Sequence, residues 1–213
     1  MRRPLAIALV ALAVAVPARP SSAAAPCWLL TDPKGDVGYS DTDHAVARPG
    51  EDLLAVDVSA TTSTLTALIR LDALPGAGEA ATPEPAGTWW YAQMQTADGI
   101  VLLSVFERDG TYTFGAGYGH GVGPAARNFD TVDGATGSID GAHATLRVTL
   151  PLSALAPLTS VRPGVRWSPT EVDSFVAASP PSSAPMTQGG VGVGRDHAAT
   201  DRAIVLGRPT CGR

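Results

Sequence analysis

The chain has 213 residues, 45% of them hydrophobic and 16% charged, with 20 acidic against 15 basic side chains and a net charge of −5. A mildly acidic chain without a basic stripe excludes nucleic acid as the expected partner. The length and apolar content fit one domain of ordinary size with a real core.

Arg2 and Arg3 precede an apolar run from Leu5 to Val16, and the small-residue stretch Ser21-Ser22-Ala23-Ala24-Ala25 follows. This is the pattern of a secretory signal peptide over 1–24, and its apolar run is too short for a stable membrane anchor. The expectation is a secreted, extracellular protein with a single domain over 25–213 and no membrane span. Cys27 and Cys211 stand at the two ends of that domain. In an oxidising compartment such a pair suits a disulfide, and the chain-entropy account gives about 4–5 kcal/mol for so long a loop. Lipidation of Cys27 is the rival reading, although Pro26 departs from the small-residue pattern that bacterial lipoprotein processing expects.

Cys27 to Thr31 reads as a short first strand, followed by an acidic loop over Asp32–Asp52. Two strands with a period of two come next, turned at Thr62-Ser63. Leu54, Val56 and Val58 share a face of the first, and Leu65, Ala67, Ile69 and Leu71 share a face of the second. Alternation of this kind predicts a sheet with one buried face. Residues 73–87 are a Pro/Gly/Ala-rich loop, and Thr88–Thr96 is a strand. Asp98-Gly99 and Asp109-Gly110 turn the chain into Ile100–Glu107 and then Thr111–Tyr118, because Asp-Gly is a strong hairpin signal. Asp140-Gly141 predicts a third such turn, between Thr136–Ile139 and Ala142–Leu150. Pro151 to Leu155 reads as a single helical turn, and Val172–Ala178 as a further strand. The Pro-, Ser- and Gly-rich stretch 179–200 is expected to be a long mobile loop before a last strand, Ala203–Leu206. About nine strands, hairpin turns and one short helical turn predict an all-β, antiparallel β-sandwich, jelly-roll-like.

The acidic loop holds Asp32, Asp36, Asp41, Asp43, Glu51 and Asp52. Calcium takes six to eight oxygens, so a site needs several carboxylates from a bent loop. Asp32 and Asp36, with Gly35 letting the backbone curl between them, would supply two ligands and Asp52 a third. The spacing is not that of an EF-hand, and solvated turn aspartates are the competing reading. Trp89, Tyr91 and Gln93 share one face of their strand, while Trp90, Ala92 and Met94 share the other. If the second set is core, the first is an aromatic surface flanked by an amide, on which sugar rings stack. Full coverage of both faces is the alternative.

Other chemistry is sparse. His44, His120, His143 and His197 show no metal-ligand spacing, and Met94 with one histidine is a poor haem pair, so haem is not expected. Gly115 to Gly123 leads into Pro124 rather than a helix, which argues against a phosphate loop. Glu171 and Asp173 stand two apart on a strand, the single hint of paired-carboxylate hydrolysis, and neighbouring surface charges explain them more simply. No nucleophile elbow or zinc-protease motif occurs, and the expectation is a protein without catalytic activity.

The D-P-x-G-D loop at Asp32–Asp36, the run DLLAVDVSATTSTLTALIRL from Asp52 to Leu71, and LRVTLPLSAL from Leu146 to Leu155 resemble the DOMON-like or carbohydrate-binding-module family 9-like sandwiches of secreted bacterial proteins. The resemblance implies a β-sandwich that binds sugars, or haem in some relatives, and often a bound calcium. It does not imply catalysis. The expected partner is therefore an extracellular polysaccharide or cell-wall glycan, with Trp89, Tyr91 and Gln93 as contacts; the alternative is an envelope protein bound by a structural domain with no small ligand.

Overall fold

The computed structural model describes residues 28–37, 49–75, 87–119, 129–177 and 193–208, with only the backbone described at 49, 129, 169–177 and 193–195. Alternating apolar residues put most of this chain into strands. In order they are β1 (Leu30–Thr31), β2 (Leu53–Ala60), β3 (Thr64–Leu71), β4 (Gly87–Gln95), β5 (Ile100–Arg108), β6 (Thr111–Gly119) and β7 (Phe129–Thr131). β8 (Thr136–Asp140), β9 (Thr145–Pro151), β10 (Arg166–Ala177), β11 (Val193–Ala199) and β12 (Ile204–Val205) follow. The helices among the described residues are short 3-10 turns, at Pro49–Glu51 and Leu152–Leu155. None is long and apolar enough to cross a membrane.

Two antiparallel sheets result, giving the all-β, sandwich-like fold that the alternation predicts. The first has the order β1-β2-β3-β9-β8, and the second β11-β10-β4-β5-β6-β7, with β12 also paired to β10. Their inner faces meet in one core. Val56, Val58, Leu65, Ile69, Leu146 and Leu150 come from the first sheet, and Trp90, Met94, Leu103 and Val105 from the second. Each such side chain is worth about 1.5–3 kcal/mol when removed from water. Trp90, fully buried, donates its indole N–H to the Gly50 carbonyl at 2.9 Å. The polar end of a core ring thus holds the turn that delivers the chain to β2.

The structure departs from the sequence reading at several places. A β-bulge interrupts β2: Leu53 pairs with Leu71 and Ala55 with Arg70, leaving Leu54 as the extra residue. Leu53 therefore enters the core while Leu54 stays half-buried, which reverses the face expected for Leu54. The Asp109-Gly110 turn has positive φ at both residues, as its dipeptide predicts. At the third turn the positive φ falls instead on Ala144, and β9 begins only at Thr145.

The largest correction lies in 179–200. Val193–Ala199 is not loop but edge strand β11, paired with β10. Its buried positions include Asp196 and Ala198, so no run of large apolar residues advertises it. Residues 179–192 of the expected loop lie outside the described residues, as do Ala178 at the end of the expected preceding strand, Asp41, Asp43, Cys27 and Cys211.

Candidate metal centre

The loop after β1 carries Asp32 and Asp36. Gly35, at φ 84°, bends it so that its own N–H points back to the Oδ2 of Asp52 at 2.8 Å. The Asp32 N–H donates to the Leu54 carbonyl at 3.0 Å, which docks the loop on the bulge of β2. A second bulge faces it from the other sheet. On β11, Ser174 pairs with Asp196 and Phe175 with Gly194, so Arg195 is an extra residue beside Asp196. Bulges re-aim the side chains next to them. Here the Asp196 Oδ2 accepts the Leu53 N–H across the sheets at 2.7 Å, and its Oδ1 accepts the His197 N–H at 2.8 Å.

The outcome is a group of three carboxylates. One oxygen each from Asp32, Asp36 and Asp196 lies within 4.8 Å of the others. Asp32 and Asp36 are thus brought together as the spacing suggests. Asp52 is set beside the group rather than within it, with its Oδ2 accepting the Gly35 N–H. Asp196 takes the third place, and no spacing in the sequence links it to the loop.

The electrostatics reflect this crowding. Burial, then the charges of Asp196, Asp36 and Asp52, push the Asp32 carboxyl up to about 7. Burial also raises Asp196 and Asp52, against the backbone N–H bonds that each accepts. Asp52 is 3% exposed, and its Oδ1 is buried without a partner, as is the Oδ2 of Asp32. Buried carboxylate oxygens left unpartnered are costly. An all-oxygen, multiply charged donor set of this kind suits a hard cation, and calcium takes carboxylate, carbonyl and water oxygens together.

Another buried carboxylate, Asp57, lies on the outer side of β2. Burial pushes it up to about 6, against a bond from the Val58 N–H and the charge of Arg202. Arg202 in turn donates from Nη1 to the carbonyls of Trp28 and Leu29, at 3.2 and 3.0 Å. The segment after β11 is therefore tied to the segment before β1.

The aromatic face is arranged differently from an open platform. Trp90, Ala92 and Met94 are core, so Trp89 and Tyr91 do face outward from the sandwich. There Trp89 and Tyr91, 6% and 8% exposed, form a second cluster with Leu102 and Phe106, and their own ring centroids lie 4.9 Å apart with planes tilted by 48°. Gln93 beside them is half-buried. Glu171 and Asp173 occupy backbone positions on β10 opposite Gln93 and Tyr91. Met94 is 1% exposed in the core, and exposed His143 pairs with Asp140 at 2.8 Å. His44 and His120 lie outside the described residues. His197 stands at the carboxylate group, where its charge opposes the upward shift of Asp32. Comparison with protein-family models, curated proteins and solved structures finds no match to this chain.

Proposed function

We propose that this protein is a secreted, non-catalytic binding domain with a calcium site at Asp32, Asp36 and Asp196, and that its ligand is an extracellular polysaccharide or cell-wall glycan. The observation that carries the cation reading is the meeting of three carboxylates drawn from opposite ends of the chain, one of which, Asp32, has a buried unpartnered oxygen, beside Asp52 with another. Asp32 and Asp36 would bind the ion directly with Asp196, while Asp52 holds the loop through Gly35. The glycan reading is supported by the outward-facing Trp89 and Tyr91 with Gln93 alongside, and by the resemblance of the loop and strand motifs to DOMON-like and family 9-like sandwiches. The burial of both rings favours a second reading, an envelope protein-interaction domain without a small ligand.

Retention on a panel of insoluble and gel-embedded polysaccharides, with calcium and with EDTA, separates these readings. The glycan reading expects retention on one polymer, and its loss when Trp89 and Tyr91 are replaced by alanine in a chain that stays folded. No retention in calcium, or unfolding of the alanine variants, favours the protein-interaction reading.

A further inference from the structure

The carboxylate group stands where the two sheets meet at one side of the sandwich. Asp32 and Asp36 belong to the loop after β1 in the first sheet, and Asp196 to β11, an edge strand of the second. Among the described residues, the bonds across this seam include Leu53 N–H to Asp196 and Arg202 to the carbonyls of Trp28 and Leu29. β1 contributes just two residues of ladder, Leu30 and Thr31. Like charges packed on both sides of a seam push it apart unless something neutralises them. Asp52, 3% exposed with a buried unpartnered Oδ1, adds a further negative charge at the same place.

Resting on the calcium reading above, we infer that the cation is the fastener of this seam: bound, it holds β11 against the loop after β1 and the start of β2, and without it this side opens while the rest of the sandwich stays folded. The ion's effect is local because the remaining strands are held independently. β3 and β9 pair over seven positions from Thr64↔Pro151 to Arg70↔Thr145, and β4 and β5 over eight, from Thr88↔Glu107 to Gln95↔Ile100. Local opening of an edge with its own free energy, below that of global unfolding, is ordinary protein behaviour.

Amide hydrogen exchange on the full chain, in calcium and in EDTA, tests this, with terbium luminescence and calorimetry of calcium addition reporting binding separately. With calcium at about 100 times its dissociation constant, linkage gives an about 100-fold slower exchange at the Leu53 amide and along β11. Amides in the centres of β3 and β5 should not change. Asp36→Asn removes an exposed member of the group and leaves the Leu53–Asp196 bond intact, so this variant should lose the gain and exchange as the wild type does in EDTA. Calcium binding with no change at the seam, or with equal protection everywhere, overturns the fastener and leaves the site standing. Absence of calcium and terbium binding overturns the site and the fastener together.

Discussion

At one side of the sandwich β8 lies against β6, where the backbone of Gly137 meets the ring of Phe114. A Cβ at Gly137 would stand 2.2 Å from that ring and 2.3 Å from the Arg147 carbonyl. At the other side β11 meets β1 and β2 through Asp196, Asp32, Asp36 and Asp52. The first seam closes by apolar contact and needs no further component. The second gathers groups that repel one another, and under the fastener proposal its closure depends on a proton or a cation. A single fold can thus carry one permanent seam and one that responds to its surroundings.

The largest effect should come from breaking the apolar seam. Gly137→Val forces overpacking against a ring and a backbone oxygen, with an expected cost of about 1–3 kcal/mol. Urea unfolding should show the same loss in calcium and in EDTA; a loss confined to EDTA would mean the two seams are coupled.

Next comes pH. Asp32 titrates near 7 in the folded chain against 3.8 ordinarily, so between those values the folded state binds a proton that the unfolded state lacks. Stability in EDTA should therefore be fully present below 3.8 as far as this group is concerned, and fall as pH rises towards about 7. Asp57, at about 6, acts in the same direction over a narrower window. Thermal midpoints at about pH 4.5 and pH 7.5 should differ in EDTA and differ less in calcium, since the cation takes over from the proton at Asp32 but not at Asp57. A midpoint that rises with pH in EDTA would contradict the crowding at Asp32.

A smaller change is expected from Asp52→Asn, which keeps an acceptor for the Gly35 N–H while removing a charge. Calcium affinity measured by titration should fall about 10- to 100-fold, in the range of changes to groups that orient metal ligands. Smallest of all is Lys34→Met. The Lys34–Asp72 pair is exposed at the lysine end, 68% by side chain, so stability should change by less than about 1 kcal/mol. Calcium should bind slightly more tightly once that positive charge is gone, with the difference vanishing at high salt.

The strands were legible where one face alone is buried. β3 alternates through Leu65, Ala67, Ile69 and Leu71, and β9 through Leu146, Val148 and Leu150, because water and core impose opposite demands on successive side chains. β2 was read one residue out of phase at its start, since a bulge has no signature in local composition. β11 was missed because an edge strand can bury an aspartate when a backbone N–H from another sheet donates to it. The same fact hid half of the candidate site. Asp32 and Asp36 are close in sequence and visible as a pair, whereas Asp196 joins them through the register of two sheets. The aromatic strand was split correctly between its faces, but the burial of Trp89 and Tyr91 depends on tertiary cover that alternation does not encode.

Lys34, which pairs with Asp72, is the single lysine of the chain, and it lies between Asp32 and Asp36. Amine-directed coupling to a bead or sensor surface would therefore attach the protein, apart from its N-terminus, at the rim of its own carboxylate group. Molecules fixed that way would face the support with the very region whose binding is being assayed. The same chemistry at low stoichiometry places one fluorophore beside the seam, a position from which its opening can be watched directly.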